Sequence, residues 1–414
     1  MLPISDLKWY GARIDAMRKG GMDMSKEEIT PRQRVLDAIN HREPDRVPFA
    51  LGCSLETAIT HQAYDRWIKM LGLKEEPDDT LPNLFVDGAG FKQIPENILR
   101  RLEVDTRGFL LQQPSEPPPE IRQEGSALVF VDDWGIKWGQ SETSLYMDPI
   151  GHPLKGDLTD EMLDSYNCPD PFQEGRFAGI GAEARRLRGT GAAVIMSAYG
   201  LGQWDYALML CGMEQALMDL VLKPRQMEKL LRKIHEVEMG YWEKGLEIVG
   251  DNIDIAMHSD DLGMQNSPMM SPDMYRKFVK PLHAEMIGMI KKKAKGEVKF
   301  LLHSCGSVRA LIPDFIEVGV DILNPIQVSA AGMDTAELKK EFGKDLCFCG
   351  GGVNTQEILP RGTPEQVRDE VKRRLDDLAP GGGYIFAAVH NIQADVPPEN
   401  LQAMVETLQA YGKY

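Results

Sequence analysis

The stretch VKFLLHSCGS (298–307) joins a continuous apolar run to a histidine and a cysteine two residues apart. Short apolar runs without alternation are the signature of strands buried on both faces, as in parallel sheets covered by helices. Upstream, similar runs occur at IDIAMHS (253–259), AVIMSA (193–198), GFLL (108–111) and VPFALG (47–52). Downstream they occur at VDILNP (321–326), DLCFCG (345–350) and YIFAAV (384–389). Amphipathic helical patterns separate the later ones, at about 213–248, 272–295, 307–318, 334–342 and 364–378. Strands alternating with helices predict an α/β protein. Seven or eight such units point to a (β/α)8 TIM barrel, with a doubly wound sheet as the alternative.

Residues 1–29 are polar and read as an N-terminal arm, partly helical; 30–414 read as the barrel. Thr30-Pro31-Arg32-Gln33 offers an N-cap, a proline at the first helical position and a capping-box glutamine, so a helix should run to near His41. Residues 112–160 break the alternation and read as an insertion beside the barrel mouth. Within it ALVFVDDWGIKWG (127–139) predicts a β-hairpin turning near Asp132–Gly135, and PSEPPPE (114–120) a polyproline-like connector.

The chain has 414 residues, enough for a large core. Its 47 basic and 63 acidic residues give a net charge of −16, which opposes binding to a phosphate backbone and argues against a nucleic-acid partner. No apolar run approaches the length of a transmembrane helix and the first residues lack a secretion signal, so a cytoplasmic protein without membrane contact is expected. Six cysteines are too few for a disulfide scaffold, and three of them fall within 305–349, a pattern that reads as metal-binding or catalytic.

His303 and Cys305 close one strand, and Cys349 closes another just before a run of three glycines. Residues two apart on an extended segment face the same way. All strand C-termini of a β/α barrel open on one face, where active sites are built. One nitrogen and two sulfurs suit Zn²⁺ with an open fourth position, so His303, Cys305 and Cys349 are the expected metal ligands. Asp260 and Asp261, after IDIAMHS, are the expected catalytic pair, suited to ligate zinc, orient a substrate or serve proton transfer, and His390, after the last strand run, joins them as a catalytic candidate. Tyr199, Gln203, Trp204, Asn391 and Gln393 follow strand runs in the same way and are expected substrate contacts.

Four segments resemble the uroporphyrinogen decarboxylase-like superfamily, and within it the corrinoid-dependent zinc methyltransferases. They are TPRQRVLDAINHREPDRVPF, DDLGMQNSPMMSPDMYRKFVKP, HSCGSVRALIPDFIEVGVDILNPIQ and GGYIFAAVHNIQADVPPENLQAM. The resemblance covers about residues 30–412 and implies a (β/α)8 barrel, a zinc ion, and cobalamin carried by a separate corrinoid protein. True decarboxylases of this superfamily hold their substrate's carboxylates with paired arginines soon after the first strand. LGCSLETAITHQAYDRW (51–67) has no such pair. The reading that follows is methyl transfer from a methoxylated aromatic to cob(I)alamin, an O-demethylation. A methylcobalamin:thiol methyltransferase of coenzyme M type is the alternative, then a decarboxylase or nonaromatic demethylase, then a barrel that binds a corrinoid without chemistry. A homodimer is left open.

Overall fold

Along each buried strand, alternate side chains must enter different apolar layers. The computed structural model places Ile255 and Met257, Leu301, Ile322, Cys347 and Ile385 in one core cluster, and Ala256, Phe300, Leu302, Leu323 and Phe348 in another. The structure describes residues 29–112, 121–125, 127–141, 144–173, 175–198 and 201–414. The expected arm and the proline-rich connector therefore lie outside the described residues, apart from Ile29.

The strands are β1 (Thr106–Leu110), β2 (Arg122–Glu124), β3 (Ala127–Val131), β4 (Lys137–Gln140), β5 (Asp148–Gly151), β6 (Ala193–Ser197), β7 (Ile255–Ser259), β8 (Lys299–His303), β9 (Ile322–Asn324), β10 (Cys347–Cys349) and β11 (Tyr384–Ile385). Seven of them form a curled parallel sheet in the order β1-β6-β7-β8-β9-β10-β11, with helices in the crossovers. The first described helix, Pro31–Ile39, starts as its sequence dictates: the Thr30 hydroxyl accepts from the Gln33 N–H. VPFALG is hydrogen-bonded on both sides. Ala50 N–H donates to Phe386 O and Phe386 N–H to Pro48 O, each at 2.8 Å. On the other side Asp105 N–H donates to Phe49 O at 2.8 Å. Among the described residues no helix is long and apolar enough to cross a membrane.

One device recurs at the strand entrances. Asp105, Asp254 and Asp321 each stand just before a strand, and each accepts a backbone N–H from a neighbouring segment: Phe49 at 2.8 Å, Val194 at 2.9 Å and Phe300 at 2.7 Å. Asp105 also receives Arg34 at 2.6 Å and Arg46 at 2.7 Å, and Asp254 receives Arg32 and Arg188. These charges lie at the end of the sheet opposite His303, where they hold strands in register.

The insertion is a four-stranded antiparallel sheet, β2-β3-β4-β5, rather than one hairpin. β3 and β4 pair across Asp132–Ile136, as their alternation implies. β2 is exposed along its whole length and β5 contains Pro149 and Gly151, so neither carries a strand pattern. The turn is anchored by Trp134 stacked on Tyr206 at 4.2 Å between ring centroids, and by Tyr166 O–H donating to Trp134 O.

Removing one partner of a buried charged cluster strands the others. Asp105→Ala is therefore expected to lower unfolding free energy by about 3 kcal/mol. Chemical denaturation of the variant beside wild type checks this, and ligand binding by the folded fraction should be unchanged.

Candidate active site

On β8, Leu301 points inward and so does His303, two residues on. His303 is in register with Ser259 of β7 and Asn324 of β9. Asn324 Nδ2 donates to the Cys349 carbonyl at 3.0 Å. A carbonyl only accepts, so the amide has one orientation and its Oδ1 faces His303. His303 Nδ1, 2.6 Å away, must then carry the proton and donate it. The Nε2 lone pair is left pointing out of the sheet, 3.3 Å from Cys305 Sγ.

Cys305 lies past the strand, in a turn fixed by close backbone contact. Gly306 has φ of +87°, and a Cβ there would stand 2.4 Å from the Gly263 carbonyl carbon. A Cβ on Gly263 would stand 2.5 Å from Cys305 O. Cys305 N–H donates to Asp261 Oδ1 at 2.7 Å, and that oxygen is 3.8 Å from His303 Nε2. His390, after β11, brings its ring centroid to 5.6 Å from that of His303. Donor atoms of His303, Cys305 and His390 all lie within 4.8 Å of one another.

These donors suit a borderline cation such as Zn²⁺: two imidazole nitrogens and one sulfur. His390 Nδ1 is buried with no hydrogen-bond partner among the described residues. Burial pushes the Cys305 thiol well above its ordinary range, and the neighbouring Asp261 adds to it. Burial and then His303 hold the His390 imidazole below its usual value, in the neutral form a metal needs.

The expected trio is brought together only in part. Cys349 is not in this group. Its side chain points into the apolar interior with Cys53, Cys347 and Ile385, beyond Asn324 from His303, and burial raises its thiol. His390 takes the place expected of Cys349. The reason is lateral position: register puts Cys349 level with Asn324 and so with His303, but on β10, with Asn324 standing between it and the imidazole.

Asp260 is not at the mouth either. It is fully buried, its Oδ1 accepting from the N–H groups of Trp204 and Asp205 at 2.9 and 3.0 Å, at the start of the helix Gln203–Cys211. Its Oδ2 accepts from His283 Nε2 at 2.9 Å. Gln203 is fully buried, bonded to His235 and His258, and Trp204 is buried in the core; neither lines the cavity described below. His258, Asp260 and His283 form a second close group, but their hydrogen bonds to Gln203, Tyr275 and one another already engage them. Tyr199 lies outside the described residues. Asn391 lines the cavity, its Oδ1 accepting from Tyr146 O–H at 2.9 Å and from Gln393 Nε2 at 2.6 Å, so Gln393 orients it.

A cavity of about 360 Å³ opens above His303, Asp261, His390 and Asn391. The insertion sheet and its flanks contribute Phe130, Asp132, Trp138, Leu145, Tyr146 and Met147 to its walls. Glu56, Phe91, Asp205 and Tyr206 complete much of the rest. Burial, with Asp261 and Asp260 alongside, holds the Asp205 carboxyl well above the usual range. Burial pushes the Asp132 carboxyl up to about 6 although it accepts from Trp138 Nε1 at 2.8 Å. None of Glu56, Asp132, Tyr146 or Asp205 stood out in the sequence. Glu56 follows VPFALG and could have been found as a strand-end residue, but the walls supplied by the insertion leave no such signal.

Comparison with known proteins agrees with this architecture. The profile of the family "Uroporphyrinogen decarboxylase (URO-D)" matches residues 150–411. A uroporphyrinogen decarboxylase from Actinobacillus succinogenes is 22% identical over 291 residues, 67% of this chain and 74% of that enzyme. One from Pseudoalteromonas translucida is 30% identical over 87 residues, 20% of this chain, a stretch spanning only 24% of that enzyme's length. A methylated-thiol–coenzyme M methyltransferase from Methanosarcina mazei is 26% identical over 143 residues, 34% of each chain. The solved structure of a methyltransferase from Methanosarcina mazei shares the fold, with a TM-score of 0.61 over 93% of this chain and 99% of that one, at 19% identity.

Residues that orient a metal-binding imidazole typically contribute 10- to 100-fold in affinity. Asn324→Ala is expected to weaken zinc binding by roughly that factor, whereas Cys349→Ala should leave it within about threefold. Competition with a chromophoric chelator measures both.

Proposed function

The chain belongs to the uroporphyrinogen decarboxylase family, and on that premise we propose that it is a methyl-transferring member rather than a decarboxylating one. The observation that carries this reading is the His303–Cys305–His390 donor group at the floor of an aromatic-walled cavity. The reaction is O-demethylation of a methoxylated aromatic, with cob(I)alamin on a partner corrinoid protein as methyl acceptor. The contacts of residues 48–50 with Phe386 and Asp105 are read as the eighth stave of a (β/α)8 barrel, with the insertion beside its mouth.

His303, Cys305 and His390 would hold the zinc, with Asp261 beside them. When bound, Zn²⁺ is a Lewis acid toward the ether oxygen and makes the phenolate a better leaving group. Asn324 keeps the His303 proton on Nδ1 and its Nε2 available. The insertion sheet forms one wall of the cavity. Cob(I)alamin on the partner would supply the electron pair that takes the methyl group as the methyl–oxygen bond breaks, and the departing phenolate would need one proton. Asp205 lines the cavity, and burial with Asp261 and Asp260 alongside raises its carboxyl well above the usual range, so we assign it as the proton donor.

A decarboxylase must anchor several substrate carboxylates. Among the described residues lining the cavity there is no lysine or arginine, and Arg66 is bonded to the carbonyls of Ala394 and Val396. A second reading, methyl transfer to a thiol, is favoured by the name of the Methanosarcina mazei relative.

Incubation with cob(I)alamin and a methoxyarene should yield methylcobalamin and the free phenol. His303→Ala should abolish this, and Asp205→Asn should lower kcat by about 100-fold. Methylation of a thiol by methylcobalamin, with no turnover of methoxyarenes, would replace this reading with the second one.

A further inference from the structure

The charge of the cavity narrows the methyl donor. Four carboxyl groups, those of Glu56, Asp132, Asp205 and Asp261, line it, and no lysine or arginine among the described residues does. Asp132 is fixed, its Oδ1 accepting from Trp134 and Ile136 N–H at 3.0 and 2.9 Å while its Oδ2 holds the Trp138 indole in the wall. Phe130, Trp138 and Tyr146 offer faces and edges for a flat ring. A ligand carboxylate directed at these walls, away from the His303–Cys305–His390 floor, would lose its water, find no lysine or arginine and face other carboxyls, which is costly. A ligand hydroxyl or amino group would instead find acceptors.

We propose that the methyl donor is a methoxylated arene bearing a hydroxyl or amino group and no carboxylate, a class typified by 2-methoxyphenol. This rests on the methyl-transfer reading above. It also assigns Glu56 as a specificity-determining residue, since it is half-buried in the wall and outside the His303–Cys305–His390 group.

The test is calorimetric titration of the full chain with 2-methoxyphenol and with 4-hydroxy-3-methoxybenzoate, followed by cob(I)alamin methylation with each. The expected result is at least tenfold tighter binding of 2-methoxyphenol and its preferential demethylation. Glu56→Arg should improve binding of the benzoate at least tenfold. Equal binding, tighter binding of the benzoate, or no binding of either ring overturns the proposal. If the benzoate is demethylated as well as 2-methoxyphenol, the proposal fails while methyl transfer stands. If 2-methoxyphenol binds preferentially but no ring gives up its methyl group, the methyl-transfer reading fails and the proposal with it.

Discussion

The Asn324 amide can face only one way, and the site follows from that. Its Nδ2 is committed to the Cys349 carbonyl, so its Oδ1 takes the His303 proton. The imidazole is thereby set in one tautomer, with Nε2 turned toward Cys305 and Asp261. β10 thus contributes to the site through its backbone. The Cys349 side chain, buried in the apolar interior, contributes packing.

Around this point the molecule divides its labour by depth. The strand entrances carry buried aspartates bonded to arginines and to neighbouring N–H groups, which secures register far from the chemistry. The middle layer is apolar. Past the strand ends come the turn at Cys305–Gly306, Asp261 and His390, where side chains leave the core and converge. The insertion sheet closes over them, joined to the chain after β11 through Tyr146 and Asn391. Asp260 and Asp261 show how sharp the division is. Adjacent in sequence, one caps a helix in the core while the other faces the cavity.

The parallel sheet was legible because strands buried on both faces leave continuous apolar runs. The His303–Cys305 pair was legible because a spacing of two places both residues on one face. Cys349 misled because the end of a strand does not show which neighbour its side chain meets: it is level with His303 but one strand beyond Asn324. His390 was marked as a catalytic candidate, but its place among the donors depends on how the chain turns after β11, which no local pattern encodes. The acidic lining was hidden for another reason. Glu56, Asp132, Asp205 and Asp261 come from four separate segments, a turn after VPFALG, a hairpin turn, a helix start and a strand end, and only folding brings them to one cavity.

X-ray absorption at the zinc edge of the purified, zinc-loaded chain tests the central claim most directly. One sulfur and two imidazole nitrogens around the metal, as His303, Cys305 and His390 require, is the expected shell. A shell with two sulfurs would return Cys349 to the metal, and a chain that takes up no zinc would contradict the account at its base.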